Sequence, residues 1–297
     1  MSAADLLNLF IAAFLLAGVY AAMSVGMTII YGVMKIVNLA HAGFLMLGAY
    51  FVYEAYDRFQ IDPLLGVLLA FPVFFFIGMG VHWLLVRRIP TSDVPTLTSL
   101  LLLFGLWLVL QNVGYLVWGN ADRAILTPRT LSSIEIGPIS FPTVRLAVFG
   151  AAVVSLAVLE FVLHRTWFGR SVRALMQNKE GGQIVGVNVQ RTAQVAFGVG
   201  IAFTGAAGGL LAMLYSFSPD FGAPFLLRAF VIIVLGGLES FAGVAIGAVI
   251  LALAETFSIL ALPASYQPAI AFSLLVVALI VLPDGVAGLW NKRRRWV

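Results

Sequence analysis

Long apolar runs dominate this chain, and short segments between them hold most of its polar residues. About 20 apolar residues span a bilayer as a helix, whereas a membrane β-barrel alternates in stretches of about ten residues. The pattern predicts an all-α polytopic membrane protein with about eight or nine transmembrane helices, at least one of them short or broken. The predicted spans are Leu6 to Ile30, Ile36 to Tyr53, Leu64 to Val86, Thr96 to Trp118, Val144 to Leu163, Thr192 to Tyr215, the short Pro224 to Leu235, Phe241 to Leu262 and Pro268 to Leu282.

Basic residues predict the orientation of these spans, because cytoplasmic loops carry the excess of Lys and Arg. The basic segments are Arg87 with Arg88, the loop from Arg165 to Arg191, and the tail from Lys292 to Arg295. We place all of them inside, which puts the C-terminus in the cytoplasm and the N-terminus outside. An even number of crossings must then separate the loop from the tail. The short segment from Pro224 to Leu235 is therefore expected to cross.

Composition excludes several classes of function. The chain has 297 residues, of which 62% are hydrophobic and 10% charged, so no sizeable soluble domain is expected. There is no cysteine, the three histidines have no metal-ligand spacing, and no GxxxxGK[ST] loop is present. We expect no catalytic residues, metal or cofactor in this chain, and hence no enzyme. The net charge of +4 lies in loops and indicates topology rather than nucleic-acid binding.

The stretch from Gly26 to Gly43 interrupts an apolar run with glycines and polar residues. Lys35, Asn38 and His41 follow at a spacing of three, which would put them on one face of a helix. Polar groups within a span normally face a bundle interior or a wet pathway. One interpretation is therefore a translocation pathway or gate. The other is a cytoplasmic turn in which Lys35 reaches to the membrane surface while Asn38 and His41 bond to backbone groups.

The loop from about 165 to 192 mixes apolar and charged residues. Val172, Leu175, Met176 and Lys179 predict a short amphipathic helix from about Gly169 to Asn178, ended by two glycines at 181 and 182. Such a loop indicates a docking site for a cytoplasmic partner. The alternative is an interfacial helix on anionic membrane lipid.

Besides Arg145, which lies at a span end, three charged residues lie inside predicted spans, namely Glu160, Arg228 and Glu255. Each is a candidate pathway residue, and structural ion pairs explain them equally well. Two glycine spacings, Gly205 with Gly209 and Gly243 with Gly247, would allow close helix contact, although such spacings also arise by chance.

Several stretches together resemble a known family, the LivH-type permeases of branched-chain amino acid ABC transporters. They read GMTIIYGVMKIVNLAHAGFLMLGAY from Gly26, WFGRSVRALMQNKEGGQIVGVN from Trp167, LGGLESFAGVAIGAVI from Leu235 and LPDGVAGL from Leu282. The resemblance covers essentially the whole chain. It implies a single permease domain over residues 1–297, in a bacterial or archaeal inner membrane.

The resemblance also implies function and partners. The chain would move leucine, isoleucine and valine, or related amino acids, into the cytoplasm by alternating access. Its partners would be a second permease of LivM type, two P-loop ATPase subunits that bind the ATP, and a periplasmic or extracellular substrate-binding protein. The expected coupling-loop residues are Gly169, Arg170, Arg173, Leu175, Met176, Glu180 and Gly186. The expected pathway residues are Tyr31, Asn38, His41 and Gly43.

Two positions depart from the family pattern. The chain reads Ala40-His41-Ala42-Gly43 where AHG is usual, and Glu239 stands in the place of a glycine. Three other functions stay open from the sequence. They are a urea or short-amide ABC permease, a stand-alone secondary transporter or channel, and a membrane-embedded enzyme, the last disfavoured by the few histidines and paired carboxylates.

Overall fold

The computed structural model describes residues 3–89, 95–130, 132–137, 139–283 and 285–288. Within them it contains eleven α-helices and one two-stranded β-hairpin. The helices are α1 Ala3–Met34, α2 His41–Phe59, α3 Pro63–Leu84, α4 Pro95–Trp118, α5 Thr143–Arg165, α6 Trp167–Gln177, α7 Lys179–Ile184, α8 Val189–Ala212, α9 Gly222–Gly236, α10 Phe241–Ser258 and α11 Gln267–Val281. The strands are β1 Ser133–Ile136 and β2 Ile139–Pro142, paired antiparallel. Single 3-10 turns cover Val86–Arg88, Pro128–Thr130 and Ala264–Tyr266.

The predicted all-α membrane fold is confirmed. Among the described residues, seven helices are long and apolar enough to cross a membrane: α1, α3, α4, α5, α8, α10 and α11. Together with α2 and α9 they correspond one to one to the nine predicted spans. The boundaries differ most at α2, which starts at His41 rather than Ile36, because residues 35–40 are not helical. The hairpin, absent from the sequence prediction, covers one end of the bundle without changing the fold class.

Helix α8 forms the centre of the bundle. It is buried along most of its length and packs against α1, α2 and α3. Glycines make these approaches possible: a Cβ on Gly208 would overlap the backbone of Leu45 in α2, and one on Gly205 would overlap the ring of Phe74 in α3. The predicted close contacts at both glycine pairs are confirmed, since a Cβ on Gly243 would likewise overlap the carbonyl oxygen of Gly236 in α9.

The two ends of the bundle differ in composition. One end, which we call the basic face, is formed by residues 35, 86–89, 165–189, 237–240 and 285–288, with Lys35 bound to Glu239 across it. The other end, the opposite face, holds residues 60–62, 119–130, 132–137, 139–142, 213–221 and 259–266 and is joined by contacts such as Arg129 to Asp62 at 2.8 Å. The tail from Lys292 to Arg295 lies outside the described residues.

Helix α9 runs from below the opposite face to the basic face although it has only 15 residues. Its length of about 22 Å is less than the hydrocarbon thickness of about 30 Å. The helix starts below the opposite face, where Gly222 lies against the backbone of Ala42 near the start of α2. The preceding loop, with Phe217 and Phe221 buried, occupies the remaining depth, and α9 ends at the 237–240 turn on the basic face. This agrees with the prediction that the short segment crosses.

Candidate functional site

Residues 35–40 form an irregular segment that enters the bundle from the basic face. Helix α1 ends where Lys35 adopts a left-handed backbone with φ of 56°. Beyond it Ile36, Asn38 and Ala40 are buried, and α2 begins beside Thr204, well inside α8. The expectation that Lys35, Asn38 and His41 share a helical face is wrong, because the segment is not helical. Lys35 is exposed at the basic face, whereas the other two are fully buried.

Asn38 and His41 keep polar atoms without partners in the bundle interior. The Thr204 hydroxyl donates to the carbonyl of Gly200 at 2.8 Å, so it accepts from His41 Nδ1 at 3.1 Å. His41 Nε2 is then an acceptor without a donor, and neither Oδ1 nor Nδ2 of Asn38 has a hydrogen-bond partner among the described residues. The turn interpretation, in which both side chains bond to the backbone, does not describe this arrangement. Most buried polar atoms in folded proteins have a hydrogen-bond partner, so this pair is unusual for a bundle interior.

The other two predicted pathway residues lie apart from this pair. Tyr31 is half-buried in the last turn of α1, with Lys35 Nζ 5.8 Å from the centre of its ring. Gly43 faces Leu110 of α4, where an added Cβ would lie 2.9 Å from a methyl carbon. Its position thus serves helix packing. The assignment of all four residues to a pathway stays a prediction.

The loop at 165–189, which we call the coupling module, folds as α6 and α7. The expected helix is confirmed as α6, but the two glycines do not end it. Asn178 ends α6 and caps α7 through its side chain, at 2.9 Å from the Gly181 nitrogen, so both glycines lie inside α7. Lys179 therefore belongs to α7 and not to the apolar stripe of α6.

The apolar stripe of α6 faces its own bundle. Val172 and Leu175 are buried with Leu159 and Leu163 of α5, in one cluster that includes residues of α1 and α8. The stripe thus anchors the module instead of offering a surface to a partner. Sequence periodicity identified the buried face and could not tell which molecule covers it.

Three predicted coupling residues hold the module in place. Gly169 lies so close to the end of α5 that a Cβ would overlap the backbone of Leu163. Arg173 Nη1 donates to the Leu163 carbonyl, and Met176 covers Gly32 of α1. The module is therefore fixed to both α5 and α1.

The remaining predicted coupling residues lie on the exposed side. The Arg170 guanidinium stacks 5.0 Å from the Trp167 ring, Glu180 lies in the first turn of α7, and Gly186 follows the end of α7 with φ of 86°. Sequence reasoning missed the most exposed apolar side chains there, Ile184 at 85% and Val185 at 75%. An apolar pair directly before a glycine in an otherwise polar loop is the signal that indicates them.

The charged residues inside the helices divide into two cases. Glu160 is exposed on α5, with an oxygen 3.0 Å from His164 Nδ1. Arg228 of α9 and Glu255 of α10 form a buried ion pair at 2.8 Å, and the Tyr20 hydroxyl donates to the second oxygen of Glu255 at 2.6 Å. This triad ties α1, α9 and α10 together. It borders a cavity of about 370 Å³ that opens toward the opposite face.

The sequence matches a family model described as "Branched-chain amino acid transport system / permease component" over residues 9–282. The chain belongs to this permease family, and within it to the LivH type. The family is one of transport proteins and not of enzymes, and this member is a multi-pass membrane protein.

The permease is similar to curated relatives over nearly its full length. It is 28% identical to the high-affinity branched-chain amino acid transport system permease protein LivH of Escherichia coli K12, over 92% of each chain. Identity to the corresponding protein BraD of Pseudomonas aeruginosa is 27%, over 91% of each chain. A probable LivH of Methanocaldococcus jannaschii is 22% identical, over 92% of this chain and 90% of the relative. No solved structure matches the permease.

Proposed function

We propose that this permease is the membrane-spanning subunit of an ABC importer that moves branched-chain amino acids into the cytoplasm. The observation that supports it best is the coupling module. A helix pair is anchored to the bundle by Val172 and Leu175 and exposes Ile184 and Val185, and the charged side chains of Arg170 and Glu180 are exposed on the same pair. Exposed apolar side chains among charges are typical of a protein docking surface. We infer the substrate class, branched-chain amino acids, from the relatives that are named as permeases for these compounds.

The proposed orientation places the basic face in the cytoplasm. Arg87 and Arg88, the arginines of the coupling module and Lys35 all lie at that end, as the positive-inside rule requires. Helix α1 starts at the opposite face, where Asn8 Oδ1 accepts from the Ser140 nitrogen at 3.2 Å. The N-terminal end is then outside, and residues 285–288 are inside.

The proposed partners are a second permease of LivM type, two P-loop ATPase subunits seated on the coupling modules, and an external substrate-binding protein. ATP is bound by the ATPases and not by this chain. Long helices at the edge of the bundle present apolar side chains outward, which suits contact with lipid and with the second permease. Exposed examples are Leu68, Phe76, Leu101, Leu116, Val154, Phe161 and Ile280.

The way the module is attached supports alternating access as the proposed mechanism. Val172 and Leu175 share one packed cluster with Val33 of α1, and Met176 covers Gly32 two residues before α1 ends. A displacement of the module by closing ATPases therefore shifts the end of α1 and segment 35–40. This movement would open or close the bundle around Asn38 and His41, because packed cores switch between discrete arrangements.

Reconstitution tests the proposal. The full chain is placed in liposomes with its candidate ATPase, second permease and binding protein, and uptake of leucine, isoleucine, valine and urea is measured with and without ATP. We expect ATP-dependent uptake of the branched-chain amino acids. Uptake of urea alone would support the amide alternative, and uptake by this chain without an ATPase would support the secondary-transporter alternative; either result would overturn the proposal.

A further inference from the structure

The cavity beside Arg228 is built from three kinds of side chain. It lies between the 213–221 loop, the start of α9, the middle of α1 and the start of α11, and opens toward the opposite face. Its volume of about 370 Å³ falls within the range of small-ligand sites, which is about 300–1,000 Å³. A cation, a carboxylate and a group of aromatic rings border the same space. We call it the Arg228 cavity.

Arg228 supplies the cation at the inner end of this cavity. Its residue is 9% exposed, and its Nε donates to Glu255 while Nη1 lies 3.4 Å from the Pro224 carbonyl oxygen. A guanidinium has five N–H donors, so these two contacts leave others free to meet a ligand. Its planar fork matches the two oxygens of a carboxylate. Glu255 fixes the orientation of the Arg228 guanidinium, because one Glu255 oxygen accepts from Arg228 and the other accepts from Tyr20.

Asp220 supplies a carboxylate at the border of the same cavity. Gln111 Nε2 donates to its Oδ1 at 2.5 Å, and the Tyr115 hydroxyl donates to its Oδ2. These contacts from α4 hold the carboxylate in a fixed position. An ionised carboxylate has about four lone-pair sites, so it can still accept from an ammonium group.

Aromatic rings form the wall between the two charges. Phe217, Phe221 and Phe225 are 1%, 8% and 6% exposed. The ring of Phe221 lies 5.9 Å from that of Phe217 and 4.9 Å from that of Phe225, so the three rings form one packed cluster, of which Phe221 and Phe225 leave a small exposed area at the cavity wall. An aliphatic side chain gains free energy by leaving water for such a surface.

We propose that the Arg228 cavity binds a zwitterionic α-amino acid with an aliphatic side chain. The ligand's carboxylate binds the Arg228 guanidinium, its ammonium group binds Asp220, and its side chain packs on Phe221 and Phe225. Urea and short amides carry neither charge and leave both groups unmatched. The inference rests on the proposed function, and it assigns to this subunit an entry site on the side that receives substrate.

The test is a binding titration of the full chain in lipid nanodiscs, in which saturation-transfer NMR detects the bound probe. The probes are leucine, 4-methylpentanoate, which lacks the ammonium group, and 3-methylbutylamine, which lacks the carboxylate. For the unaltered chain we expect leucine to bind roughly tenfold or more tightly than either analogue, the usual loss when a charged contact is left unmade. No leucine binding up to about 10 mM, well above a millimolar Kd, would overturn the inference.

Two variants assign the charged contacts. Asp220→Asn should weaken leucine binding and leave that of 4-methylpentanoate unchanged, so the preference for leucine over this analogue disappears. Arg228→Lys keeps the charge opposite Glu255 but loses the fork, and should erase most of the preference for leucine over 3-methylbutylamine. The matched control is Asp57→Asn, an exposed carboxylate near the end of α2 that does not border the cavity.

The outcomes separate this inference from the proposed function. If both variants keep the leucine preferences of the unaltered chain, the cavity assignment is wrong. ATP-driven uptake of leucine by the reconstituted transporter would still support the proposed function in that case. If the titrations follow the expected pattern but no ATP-driven uptake occurs, the cavity assignment stands and the importer proposal fails.

Discussion

Lys35 and Glu239 form an ion pair that joins the end of α1 to the α9–α10 turn across the basic face. Both side chains are about half exposed, at 49% and 48%. Lys35 is the residue whose left-handed backbone ends α1 and starts segment 35–40. Glu239 is the residue that departs from the family glycine, and the structure supplies it with a partner. The pair thus links the proposed gate to the turn that follows the short helix α9.

Reversal of one charge of this pair should impair transport without unfolding the protein. We expect Lys35→Glu or Glu239→Lys to lower ATP-driven leucine uptake several-fold, because repulsion replaces attraction at the mouth of segment 35–40. The unfolding temperature should change little, since an exposed pair contributes about 0–1 kcal/mol. The double reversal should restore uptake. Unchanged uptake in both single variants would show that the link has no role in gating; Arg58→Glu on α2, at a side chain that is 69% exposed, is the control.

Asn38→Leu should separate transport from stability. Leucine has the same number and branching of side-chain heavy atoms as asparagine and removes a buried amide that has no partner, so the free energy of unfolding should stay equal or rise by about 1–3 kcal/mol. Uptake should fall if the amide contacts the solute or its water. The measurement pairs thermal unfolding in detergent with uptake in liposomes. Normal transport kinetics in this variant would remove Asn38 from the pathway; Asn112→Leu, on the exposed side of α4, is the control.

Ile184→Asp should weaken ATPase association. The side chain is 85% exposed, so the change should leave folding intact while it puts a charge into an apolar contact. We expect the amount of ATPase that copurifies with the permease to fall about tenfold or more. Gln183→Asp introduces the same charge at a polar exposed neighbour and should have a smaller effect. Equal copurification of ATPase with both variants and the unaltered chain would place the docking surface elsewhere.

A methyl group at Gly169 should loosen the coupling module. The added Cβ would overlap the backbone of Leu163, which cannot yield as a flexible side chain can, so overpacking should cost about 1–3 kcal/mol locally. Gly169→Ala should therefore raise the hydrogen-exchange rate of α6 and lower ATP-driven uptake. Gly181→Ala, where the Cβ would lie at 3.4 Å from Asn178, should be tolerated. Exchange rates in α6 that do not change would show that the junction of α5 and α6 has room to adapt.

The segment around Asn38 and His41 was predicted from the sequence only in part. The mixed stretch around Asn38 and His41 predicted a broken helix, and the break lies there. Three-residue spacing places side chains on one face only in a helix. Residues 35–40 are not helical, so the polar side chains of this segment do not share a face. In the coupling module the stripe of Val172 and Leu175 was recognised correctly, but its covering surface is the bundle itself.

The order of amino acids was enough to predict the all-α membrane fold, the nine apolar segments, the basic loops and the family. Each of these depends on local hydrophobicity, length or motif, which the order of residues specifies directly. Only the tertiary structure decided that Arg228 pairs with Glu255 and Tyr20, that Lys35 meets Glu239, and that Gly222 lies against Ala42. In the triad, Arg228 and Glu255 are 27 positions apart in the chain, and Tyr20 and Glu255 are 235 positions apart. Helix packing, and not the local sequence pattern, brings such residues together.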